Sequence, residues 1–112
     1  MIGGNITGVF QTKTDAFNDV GEREHTWHDR YTLKGWLGMQ SGDKSRGTFN
    51  AKIEQSSHVF LCDYHANVDA LADVDSRMII KGIVYEVKYI DNPDEMDKQL
   101  EIYLNRIGAW RG

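Results

Sequence analysis

The chain has 112 residues, with 13 Lys and Arg against 17 Asp and Glu and a net charge of −4, and that length predicts one domain over 1–112 with one core. Hydrophobic residues at 40% and charged ones at 27% exclude the apolar-poor, charge-rich composition of a chain that stays unfolded. The sole cysteine, Cys62, excludes an intrachain disulfide scaffold, and the acidic balance argues against a general affinity for nucleic-acid phosphates, which needs clustered Lys and Arg to displace counterions.

Segment 6–12 carries Val9 and Phe10 and reads as a short first strand, and Thr14-Asp15 with Asp19-Val20-Gly21 reads as a loose turn behind it. From 26 to 40, Trp27, Tyr31, Leu33, Leu37 and Met39 occupy odd positions, while His28, Arg30, Thr32, Lys34 and Gln40 occupy even ones. Period two predicts a strand with one face in water. Trp36 falls on the even, polar face, where an indole is either covered by another part of the chain or kept for a partner, because interfaces are rich in Trp and Tyr. The stretch 38–57, headed by Ser41-Gly42-Asp43-Lys44-Ser45-Arg46-Gly47, is too polar and glycine-rich for a packed element and predicts a long surface loop, mobile when free.

His58-Val59-Phe60-Leu61-Cys62-Asp63-Tyr64 is apolar at both parities, which suits a barrel wall or a strand covered on both faces. An acidic, turn-rich stretch follows over 67–75. Met78-Ile79-Ile80, Lys81-Gly82 and the strand 83–90 predict a hairpin, because Gly82 can take the positive φ that a two-residue primed turn requires. The last segment carries two patterns. Met96, Leu100, Tyr103, Leu104 and Ile107 keep helical spacing behind Asn92-Pro93, a fitting cap and first position, yet Leu100, Ile102 and Leu104 also alternate as in a strand. The class is mainly β, with about five to six short antiparallel strands in a small barrel or sandwich.

No apolar run approaches the roughly 18 residues of a membrane helix, and Met1-Ile2-Gly3-Gly4-Asn5 lacks the order of a signal peptide. A soluble protein of a reducing compartment is expected. His25-x-x-His28 and Cys62-x-x-His65 are residues of zinc-ligand type, but residues three apart on an extended strand point to opposite faces, so no metal site and a buried, inert Cys62 are expected. No glycine elbow follows Cys62 to activate it as a nucleophile. Asp69, Asp73 and Asp75, and Asp91, Asp94, Glu95 and Asp97, lack the spacing of a calcium loop and read as solvated charge. Gly35-x-x-Gly38 lacks the Lys-Ser/Thr of a phosphate loop. Neither an enzyme nor a cofactor has residues to rest on.

In chain order stand a short strand, a loop, Trp27-His28-Asp29 leading into a long strand, Ser41-Gly42-Asp43 opening a polar loop, the strand 57–64, the run from Arg77 to Val87, then Asp91-Asn92-Pro93 and Leu100-Glu101-Ile102. That order resembles the head-tail adaptor, or head closure, proteins of tailed bacteriophages and prophages. The resemblance implies a small β-barrel with a strand over 99–107, assembled into a homo-oligomeric ring of about twelve subunits below the portal vertex. It implies the portal or adaptor ring and a tail completion protein as partners, a place in the virion neck after assembly in the host cytoplasm, and transient, non-specific contact with packaged DNA. Ser41, Gly42, Asp43, Lys44, Ser45, Arg46 and Gly47 stand where relatives carry a channel-facing loop that retains DNA. Trp36 and Trp110 are candidate interface residues, and 108–112 is a tail without counterpart in the family. Two other readings are a tail completion or terminator protein and a small β-barrel nucleic-acid-binding module, the second disfavoured by the acidic balance.

Overall fold

The computed structural model describes residues 4, 6–39 and 56–111. Their alternating segments form β1 (Ile6–Phe17), β2 (Arg23–Met39), β3 (His58–Asp63), β4 (Ser76–Ile80), β5 (Ile83–Asp91) and β6 (Gln99–Ala109). A one-turn helix, α1 (Ala66–Asp69), and a 3-10 turn (Pro93–Glu95) join the later strands. Every neighbouring pair is antiparallel, and the strands close into a barrel in the order β1-β2-β3-β6-β5-β4. The expected mainly β architecture of six antiparallel strands is therefore the observed one. No helix among the described residues is long and apolar enough to cross a membrane.

Within the barrel, alternating strand residues supply the core, and Phe10, Phe60, Met78, Leu100, Ile102 and Leu104 are wholly buried. Each such side chain contributes about 1.5–3 kcal/mol by leaving water. Gly35 is the point of closest approach in the wall: a Cβ there would run into the Leu61 carbonyl on β3, to which β2 is paired through Gly35 and Cys62. The expected hairpin is present, with Lys81 (φ 51) and Gly82 (φ 75) both in the left-handed region of a primed turn.

The ambiguous C-terminal segment is a strand. β6 lies between β3 and β5 and pairs with both, so its backbone groups are taken up on two sides. A helix would have turned one of Leu100, Ile102 and Leu104 away from the core that all three share. Asn92 caps no helix with its side chain. It accepts from the Asp97 N–H at 3.1 Å and donates to the Asp97 carboxylate at 2.7 Å, closing the β5–β6 connection. Gly108 and Ala109, placed in the tail by the sequence, extend β6 and pair with Val84 and Ile83.

Three local features differ from the sequence reading. β1 does not stop at Thr12: Thr14 to Phe17 pair with Thr26 to Arg23, so a two-stranded arm extends past the barrel and the turn is confined to 18–22. Second, the β1–β2 register shifts after Phe10, which pairs with Tyr31 while Gln11 pairs with Asp29, leaving Arg30 as the extra residue of a bulge. One inserted residue reverses the faces, so Trp27 lies on the outer side and not with Tyr31, Leu33 and Leu37. Third, the acidic stretch after β3 contains α1, whose Val68 is wholly buried in the core cluster at one end of the barrel. His65 caps α1 by accepting from the Val68 N–H at 3.3 Å and packs its ring at a tilt of 55° against Tyr31, ring centroids 4.6 Å apart.

Candidate assembly surfaces

On β2, Gly35 and Leu37 pair with Cys62 and Phe60, the buried row, so Trp36 between them faces outward opposite Leu61. Its indole is 48% exposed. The same outer wall continues across β3 and β6 to β5, because Tyr103 pairs with both Val59 and Tyr89. The Tyr89 and Tyr103 rings lie 6.2 Å apart, and the Tyr103 hydroxyl donates to Glu101 at 2.8 Å. This outer wall combines exposed and half-buried aromatic and aliphatic groups with Glu101 among them, residue types found at protein–protein interfaces. Trp110 lies elsewhere: its backbone N–H donates to the Gly82 carbonyl at 2.9 Å, tying the end of the chain to the β4–β5 turn, with the residue 46% exposed. Ser41 to Gly47, the candidate channel loop, lie outside the described residues.

A second surface was not apparent from the sequence. Lys13, Trp27, Arg77, Glu86 and Ile107 line an outer groove of ≈ 280 Å³. The Arg77 guanidinium covers the Trp27 ring and its Nε donates to Gln11 at 2.6 Å, while the Gln11 amide donates to Asp29 at 2.6 Å. Lys13 reaches Asp75 at 3.6 Å. The bulge at Arg30 brings Trp27 into this cluster, and a bulge carries no signature in a lone sequence.

Charge is sorted along the barrel. All described carboxylates except Glu86 lie in the arm and its root, between 63 and 75, or between 91 and 101. These segments meet at one end, where the Lys13 N–H donates to the Asp75 carbonyl and the Tyr64 N–H to that of Lys98. The other end holds Lys81 in the β4–β5 turn and Arg106 and Arg111 after the last core residue of β6. β2 and β3 also open toward that end, through Met39 and His58.

The zinc-type residues have separate partners. His25 engages Asp15, His28 Nε2 lies 2.9 Å from the Thr14 hydroxyl, and His65 caps α1. Cys62 is buried, and burial, then the nearby Asp63 charge, pushes its thiol up to about 11. Among the described residues no three His, Cys, Asp or Glu are placed to hold a metal ion.

A protein-family model described as phage head completion protein matches residues 8–105, a span that takes in parts of all six strands. The chain belongs to this family. No curated protein matches the sequence. As a phage head completion family member the chain has a structural role in head closure during virion assembly, works in contact with other phage head or tail proteins, and is a virion component. The resemblance read from the strand order and the run from Arg77 to Val87 thus pointed to the right family.

Proposed function

We propose that the chain is one subunit of a connector ring that closes the DNA-filled head below the portal and offers the surface to which the tail attaches. The observation that carries this reading is the outward-facing Trp36 wall. Where β2 and β3 pair, from Gly35 to Met39, the barrel wall offers no free edge for strand addition, and the outward side chains of the Trp36 wall supply a surface for lateral assembly. By family analogy the ring has about twelve subunits in cyclic symmetry. Charge sorting along the barrel then gives the ring two faces of opposite sign. Ser41 to Gly47, carried between β2 and β3 from the basic end, face the channel in this reading, with Lys44 and Arg46 touching phosphate while the acidic body keeps the grip weak.

Native mass measurement tests the ring. A monomer alone and a ring on the cognate portal or adaptor are expected, because subunits of net charge −4 repel one another and the partly exposed Trp36 wall must overcome that repulsion without a template. A stable ring without a partner would refute the templating step, and no ring with the portal would refute the ring itself. Deleting Ser41 to Gly47 tests the loop: particles should leak packaged DNA before a tail is attached, and normal retention would refute the channel role.

A further inference from the structure

The arm at the acidic end has no core beneath it, since its strands beyond Thr12 and Asp29 pair with each other alone in the β-ladder. Polar contacts fix it instead. Asn18 accepts from the N–H groups of Val20 (3.0 Å) and Glu22 (2.9 Å) and its amide donates to Glu24 (3.2 Å), while Asp15 engages His25 across the strands. A hairpin built in advance in this way loses little freedom on docking. Yet its tip presents Phe17 and Val20, 73% and 75% exposed. Two large apolar side chains held in water at the end of a braced projection are a docking anchor with its pocket missing. Asp15, Asp19, Glu22 and Glu24 surround them against Lys13 and Arg23, and the exposed Val74 and Met96 sit at the same acidic end.

We infer that the arm tip inserts Phe17 and Val20 into an apolar pocket rimmed by Lys and Arg on a different virion protein. This rests on the ring reading, because only a ring turns the two ends of the barrel into two docking faces. A second copy is complementary too, through the end that holds Lys81, Arg106 and Arg111. That contact would be heterologous and open, however, adding ring upon ring without limit, whereas a head is closed once. The carboxylates around the tip speed encounter with a basic rim and reject an acidic one, and the buried Phe17 ring sets the residence time.

Photo-crosslinking in assembling particles tests this with the complete chain, carrying Phe17→p-benzoylphenylalanine or, separately, Trp36→p-benzoylphenylalanine. Position 17 is expected to couple to a second virion protein at a peptide bearing Lys or Arg, and position 36 to copies of this chain. Coupling of position 17 only to this chain, to a peptide without basic residues, or to nothing while position 36 reacts, overturns the arm proposal and leaves the ring. Loss of same-chain coupling from position 36 with position 17 still on its partner overturns the ring and leaves the arm; silence from both overturns both. A Phe17→Ser, Val20→Ser chain should unfold at the wild-type temperature yet enter particles at least about tenfold less, as expected for a buried anchor; equal incorporation overturns the proposal.

Discussion

The Arg77 guanidinium carbon lies 4.3 Å from the centroid of the Trp27 ring, although fifty positions separate the two in the chain. With Nε on Gln11 and the Gln11 amide on Asp29, this one side chain ties β4 to β1 and β2 where the arm leaves the barrel. Arg77→Ala should cost about 2 kcal/mol, from a partly buried cation–π contact and a charged hydrogen bond. Arg77→Lys should recover less than half, because an ammonium lacks the planar fork that stacks and donates sideways at once. Urea unfolding followed by Trp fluorescence reads both; a cost under about 0.5 kcal/mol for the alanine variant would place it among ordinary surface changes.

Gly35→Ala should destabilise by about 1–3 kcal/mol, since the added methyl meets a backbone carbonyl that cannot rotate away. Gly38→Ala, three residues on in the same strand, meets nothing within 4 Å and should be neutral or slightly stabilising. Thermal unfolding of the two variants side by side checks the contrast, and equal effects would refute the close approach of β2 to β3.

Asp91 pairs with Glu101 across β5 and β6. Burial first, then the Glu101 and Asp94 charges, raises its carboxyl above the ordinary aspartate value. The folded state therefore binds this proton more tightly than the unfolded chain, and stability falls as pH climbs from below 3.8 through the raised value. Asp91→Asn should be more stable than the parent at pH 7 by removing a like-charge cross-strand pair, and the gain should vanish in acid. Melting curves across pH check this, and a gain that persists below the carboxylate range would contradict it.

Cys62, buried and with its thiol pushed up to about 11, should react with a disulfide reagent at pH 8 no faster than the protein opens. Denaturant should release one fast-reacting thiol per chain, because Cys62 is the sole cysteine. Rapid labelling of the folded protein would show the site to be accessible.

Where neighbours in sequence decide the structure, the sequence was enough. Lys81-Gly82 between two apolar runs specifies its own turn, and the odd-position apolar residues from Tyr31 to Leu37 specify a strand whose row faces Phe60 and Cys62. The order of such segments along the chain also carried the family. Where the deciding partner is distant, local pattern was silent or pointed two ways. Leu100, Ile102 and Leu104 fit two periods, and β3 and β5 on either side selected the strand by taking up the backbone hydrogen bonds. Val68 looked like part of a solvated acidic turn, and the open end of the barrel made it core. Thr14 to Phe17 have the composition of a turn, and pairing with Thr26 to Arg23 drew them into the arm. Trp27 changed sides through one bulged residue, Arg30, because a sheet counts residues by twos and a single insertion turns every later side chain over.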